Sequence, residues 1–114
     1  MGISGQNVDD IKRYSTKTST LEIMEDTLKW SHLCPTAPDT LDCYPFFEND
    51  PFILKNSPHV YFVGNQDKFE TKLINIPGDK ESKIRLISIP KFSTTFELIL
   101  VNLKNLETHS IKFD

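Results

Sequence analysis

The chain reads as an α/β domain, with N-terminal helices followed by a largely antiparallel, strand-rich segment. Three observations predict this. A capping signature and an apolar i, i+3, i+4 spacing mark the first part of the chain as helical. From Val60 onward, runs rich in β-branched and aromatic residues follow one another. Turn residues separate those runs closely, which favours neighbouring strands paired antiparallel, with helices over one face.

The bulk figures agree with one globular domain. The chain has 114 residues, of which 38% are hydrophobic and 25% charged, a composition that builds a modest core rather than a disordered chain. A net charge of -3 argues against a broad nucleic-acid face, which needs clustered Lys and Arg. No apolar run is long enough to span a membrane. The N-terminal Met1-Gly2-Ile3-Ser4-Gly5 lacks the basic-then-apolar order of a secretory signal. Gln6 stands where a myristoylation pattern needs Ser or Thr. Two cysteines, Cys34 and Cys43, match no zinc spacing and read as reduced thiols.

The first predicted helix lies within residues 4–14. Ser4 or Asn7 is placed to cap it, and Asp9 and Asp10 suit its positive end. The second is clearer. Ser19 and Glu22 make a capping box. Leu21, Met24 and Leu28 share one face, with Ile23, Thr27 and Trp30 on the adjoining one. This helix should end near His32, since Pro35 forbids its continuation.

Residues 34–58 read as a long loop, punctuated by Pro35, Pro38, Pro45, Pro51 and Pro58. Loops of this length are often functional. Its aromatic residues Tyr44, Phe46, Phe47 and Phe52 either pack under the loop or face a partner, since aromatic rings anchor interfaces. Both readings stand at this point. A third use, stacking on single-stranded DNA, is disfavoured by the acidic balance.

Strands are expected over 60–63, 72–76, 84–89, 96–103 and 109–113. The signals Pro77-Gly78-Asp79, Pro90 and Lys104-Asn105 divide them. Alternation is visible in Ile84-Arg85-Leu86-Ile87-Ser88-Ile89. Gly64 is read as the end of the first strand, which places Asn65, Gln66 and Asp67 in a position where loops often carry chemistry. They are amides and a carboxylate, not the imidazoles that transition metals favour.

Other constellations are weaker. His32, His59 and His109 share no ligand spacing. Asp9-Asp10 reads as a dipole complement and Asp39 and Asp42 as turn formers. Cys34 lies two residues from His32, a separation that helical geometry turns to different faces. There is no Walker A sequence, no G-x-G-x-x-G and no G-x-S-x-G. No catalytic residue, metal ligand or cofactor is therefore assigned.

Taken in order, several blocks resemble one family. They are Ser4-Gly5-Gln6-Asn7-Val8-Asp9-Asp10-Ile11, then His32-Leu33-Cys34-Pro35-Thr36-Ala37-Pro38-Asp39-Thr40-Leu41, then Cys43-Tyr44-Pro45-Phe46 and Asp50-Pro51-Phe52. Pro58-His59-Val60-Tyr61-Phe62-Val63-Gly64-Asn65 follows, with Pro90-Lys91-Phe92-Ser93 and Val101-Asn102-Leu103 beyond it. Together they resemble the small (B) subunits of DNA polymerase delta over nearly the whole chain.

The resemblance implies a calcineurin-like phosphoesterase sandwich, of which residues 1–114 would be the C-terminal half. The companion OB-fold domain and the first half of the core would lie outside this stretch. It also implies an inactive site. Related archaeal small subunits are active nucleases, with histidines at positions that fall here on Ser4, Asn65 and Asp67. Without imidazole donors the metal-activated water is lost. The implied role is a non-catalytic accessory subunit in the nucleus, acting in DNA replication and repair. Its implied partners are the cysteine-rich C-terminal domain of the catalytic subunit and the third subunit, with DNA met only through the complex. The alternative is a residual metal-dependent phosphoesterase or nuclease, which rests on fold alone.

Overall fold

A computed structural model describes residues 1–76 and 78–114. In chain order the elements are β1 (Gly2–Ile3), α1 (Gln6–Tyr14), α2 (Thr20–Trp30), β2 (Val60–Gln66), β3 (Glu70–Ile76), β4 (Asp79–Pro90), α3 (Phe92–Thr95), β5 (Glu97–Val101) and β6 (Thr108–Lys112). They fall into two compact units, one of Met1–Gly5 with Pro58–Asp114, the other of Gln6–Ser57.

In the helical unit, α1 and α2 pack on each other. Val8 and Ile11 of α1 and Ile23, Met24 and Leu28 of α2 are buried. Burying each such side chain contributes about 1.5–3 kcal/mol. Leu21 is only half-buried and Trp30 is exposed, so the buried face runs through Ile23, Met24, Thr27 and Leu28 rather than Leu21 and Trp30. Asn7 does not cap α1. It lies inside the helix, and its Nδ2 donates to Leu33 O at 2.6 Å, a loop carbonyl that no local pattern announces. Ser4 does not cap it either, because Gly5 intervenes in a left-handed conformation (φ 107°). Ser19 occupies the N-cap of α2 as expected, but without a side-chain capping bond. Ser31 closes α2 in the left-handed region (φ 54°), its N–H donating to Leu28 O. The 34–58 segment is a loop with little regular structure, pinned at its far end where Leu33 N donates to Phe52 O and Leu54 N to Ser31 O, at 2.9 and 2.8 Å.

The strand unit holds a four-stranded sheet in the order β1-β2-β4-β3 and a separate β5-β6 hairpin. The expected antiparallel pairing holds for β3-β4 and β5-β6. It fails for β1-β2 and β2-β4, which are parallel. Two facts explain the difference. The short β1 precedes the helices, and the chain between β1 and β2 supplies the long connection that parallel neighbours need. β3 then crosses to the far edge, so β4 returns between it and β2 and must run parallel to β2.

Tyr61, Val63, Ile84, Leu86 and Ile87 form the core of this unit. Gly64 does not end β2. The strand runs on to Gln66 through a register shift after Val63, a bulge in which Asn65 takes φ 55°, a conformation that Asn tolerates better than most residues. Phe96 is not the start of a strand but a left-handed cap (φ 53°) on the short α3. The Lys104-Asn105 turn is present, held by Asn102 and Asn105 side chains accepting from the N–H groups of Lys104 and Glu107 at 2.9 and 3.1 Å. Of the Pro77-Gly78-Asp79 signal, Pro77 lies outside the described residues, while Gly78 takes φ 85° and Asp79 opens β4.

The β5-β6 hairpin leaves an apolar face open. Leu98, Leu100 and Ile111 are 41–52% exposed, and Leu98 pairs with Ile111 in register. Phe92 meets Phe96 and Phe113 edge-on at 6.0 and 6.5 Å, and all three rings remain half exposed.

Candidate functional site

Parallel pairing puts the carboxyl ends of β1 and β2 side by side, the place where open α/β sheets hold ligands. Ser4 follows β1, and Asn65 is the next-to-last residue of β2. Asn65 Nδ2 donates to Ser4 O at 2.9 Å. Beneath them, Gln66 is buried and its Nε2 donates to Gly64 O at 3.1 Å. The segment after β1 lies so close to β2 here that a Cβ on Gly5 would overlap Gly64 O and come within 2.8 Å of Gln66 Nε2. Ser4 and Asn65 are thus brought together by the fold. Asp67 is exposed one residue beyond β2. This corner is an amide-and-carbonyl lock whose polar atoms already face one another. Among the described residues no three His, Cys, Asp or Glu side chains gather as a metal site needs.

The proline-punctuated loop builds a second feature, an open cleft of about 340 Å³ lined largely by residues 43–52 together with His32 and Cys34. Tyr44 and Phe46 meet edge-on at 4.8 Å, a favoured aromatic geometry. Tyr44 and Phe46 are more than half exposed, and Phe47 is 97% exposed. Phe52 is half-buried beside the His32 ring, at 6.2 Å between centroids.

His32 organises the floor of this cleft. Its Nδ1 accepts from Cys34 N at 3.1 Å, and its Nε2 lies 2.7 Å from Asp50 Oδ2. Accepting at Nδ1 puts the ring hydrogen on Nε2, which donates to the carboxylate. Asp50 Oδ1 in turn accepts from Phe52 N at 2.9 Å. The His32 ring, and after it the Phe52 N–H, hold the Asp50 carboxyl below the usual carboxylate range. The connectivity is that of a catalytic triad, but the group on the other ring nitrogen is a backbone N–H and not a nucleophile. Burial pushes the Cys34 thiol up, away from the thiolate that nucleophilic work requires. Both cysteines are free thiols.

A third group was not legible in advance. Asp10 is buried and accepts from Thr40 Oγ1 at 2.6 Å. The Thr36 and Thr40 hydroxyls hold its carboxyl below the ordinary value. Asp9 sits in the first turn of α1 as a dipole complement should, whereas Asp10 ties the loop to the helix. Asp39 and Asp42 are exposed in the loop. The pairings Asp10–Thr40 and His32–Asp50 span 30 and 18 residues, too far for any local motif to reveal them.

The sequence profile of the B-subunit family of DNA polymerases alpha and epsilon matches residues 1–71. The chain belongs to that family. It is 53% identical over 113 residues to a DNA polymerase delta small subunit of Arabidopsis thaliana, covering 99% of this chain and 25% of that protein. A DNA polymerase delta small subunit of Oryza sativa is 50% identical over 113 residues, 99% of this chain and 26% of its own length. One of Saccharomyces cerevisiae is 37% identical over 137 residues, 100% of this chain and 28% of its own length. The chain therefore spans about a quarter of the length of these relatives, and the similarity runs over nearly the whole of it. No helix among the described residues is long and apolar enough to cross a membrane.

Proposed function

We propose that this chain is a non-catalytic part of the accessory subunit of DNA polymerase delta. In this reading it scaffolds the cysteine-rich C-terminal domain of the catalytic subunit and the third subunit, in nuclear DNA replication and repair. The observation that carries it is 53% identity to a polymerase delta small subunit across 99% of the chain. The geometry supports a scaffold over a residual phosphoesterase. At the positions where active relatives would place imidazoles, Asn65 is bonded to the carbonyl of Ser4, and Asp67 stands exposed.

The same reading makes residues 1–114 the C-terminal part of an inactive calcineurin-like phosphoesterase domain. The open apolar face of the β5-β6 hairpin supports it, because a two-stranded sheet is marginal by itself and gains stability from further packing. Tyr44, Phe46, Phe47 and Phe52 are the residues assigned to the partner-facing loop.

The test is co-purification with a tagged catalytic subunit. The chain should be retained, and the F46A/F47A double variant should be retained less, since exposed aromatics make interface anchors. Failure of the wild-type chain to associate removes the scaffold reading. Full retention of a folded double variant removes the loop assignment alone.

A further inference from the structure

We propose that the cleft of the aromatic loop docks one kind of occupant, an extended segment of a partner protein carrying aliphatic or proline residues flanked by Arg or Lys. The inference deepens the scaffold reading and rests on it for the source of that segment.

Three observations carry it. First, the cleft is built and not merely exposed. Phe52 is fixed at its floor by the Asp50 turn and by the pairing of His32 with Ile53, while Tyr44 and Phe46 brace each other at the rim. A preformed wall lowers the ordering that binding demands. Second, its surface is aromatic and proline-rich, with Pro45 and Pro51 beside Tyr44 and Phe47. Grooves of that composition take extended, polyproline-like segments, and a volume of about 340 Å³ falls in the size range of ligand-holding clefts, roughly 300–1,000 Å³. Third, the charge is one-sided. From Trp30 to Leu54 the chain carries Asp39, Asp42, Glu48 and Asp50 and no Lys or Arg. Glu48 and Asp50 line the cleft itself. Asp50 is engaged by His32, which leaves the exposed Glu48 as the carboxylate that an arginine fork would meet. An acidic, aromatic wall repels a phosphate backbone, so the occupant is a polypeptide.

The probe is a synthetic twelve-residue peptide with a Pro-Leu-Pro-Leu centre flanked by arginines, and its counterpart flanked by glutamates. Each is titrated into the full 114-residue chain labelled with ¹⁵N. The arginine peptide should shift the amide signals of Tyr44, Phe46, Phe47 and Glu48, with an affinity that falls as salt rises. The glutamate peptide should not. Phe47→Ala and Glu48→Lys, both at exposed positions and so compatible with the fold, should each weaken the arginine peptide about tenfold. No shift at millimolar peptide, equal binding of the glutamate peptide, or shifts outside this loop would each overturn the proposal. So would a concentration-dependent dimer abolished by Phe47→Ala, which would assign the cleft to a second copy of the chain. Failure of the scaffold reading looks different: the peptide binds the cleft, yet the chain does not co-purify with the catalytic subunit.

Discussion

The side-chain amide of Asn65 is bonded to the backbone carbonyl of Ser4, 61 residues away, at 2.9 Å. This bond ties the ends of two parallel strands, and it holds Asn65 in the left-handed region (φ 55°). Removing it should therefore cost more in alanine than in glycine. Asn65→Ala loses a hydrogen bond worth about 0.5–1.5 kcal/mol and replaces Asn by a residue that tolerates this φ less well. Asn65→Gly loses only the bond and gains a residue at ease with that φ. Urea denaturation should rank the stabilities wild type, Asn65→Gly, Asn65→Ala. An alanine variant as stable as the glycine variant would mean that the bulge relaxes freely.

Gly5 and Gly78 make a second contrast, because both have positive φ (107° and 85°) but only Gly5 is crowded. Gly78→Ala meets nothing within 4 Å and should cost about 1–2 kcal/mol from conformation alone. Gly5→Ala drives a Cβ into Gly64 O and toward Gln66 Nε2, and the Gly64 backbone cannot step aside without parting β1 from β2. It should cost about 3 kcal/mol or more. Thermal melts of the two variants decide the matter.

Stability should fall in acid through the aspartates. Asp10, Asp50 and Asp79 all have carboxyls held below their ordinary value, by the Thr36, His32 and Ser82 contacts first of all. In the window between the ordinary value, about 4, and the lower folded value, the unfolded chain binds more protons than the folded one. The stability these groups contribute is present above that window and is lost as pH falls through it. The urea midpoint should decline below pH of about 4. In a Thr36→Val/Thr40→Val double variant the share of this decline due to Asp10 should shrink, since its carboxyl then titrates nearer to its unfolded value.

The floor of the cleft should loosen locally and not globally when its bonds are cut. Asp50→Ala removes the acceptor of both His32 Nε2 and Phe52 N, and His32→Ala removes the acceptor of Cys34 N. Amide hydrogen exchange should speed at Phe52 in the first variant and at Cys34 in the second, while the amides of Tyr61 and Leu86 in the sheet keep their protection. Equal loss at all four positions would show that the loop and sheet unfold together.

The sequence by itself determined the elements whose signal is local. The α2 helix follows from the Ser19 and Glu22 signature and from the spacing of Leu21, Met24 and Leu28, although Leu21 proved half-buried, and β2 and β4 follow from runs of β-branched and aromatic residues. The proline spacing also marked 34–58 as a loop. Family membership was legible for the same reason, as it is carried by contiguous blocks. What only the tertiary structure decided is everything made by distant residues. The two-residue β1 has no periodicity to read, yet its parallel pairing with β2 turns an expected antiparallel sheet into a mixed one. The same pairing is what joins Ser4 to Asn65. The aromatic loop divides into the half-buried Phe52 and the exposed Tyr44, Phe46 and Phe47, with Phe52 N donating to the Asp50 carboxylate that His32 engages across 18 residues. Hydrogen bonds and packing act through space, while propensity acts along the chain, so the elements were written in the sequence and their meeting points were not.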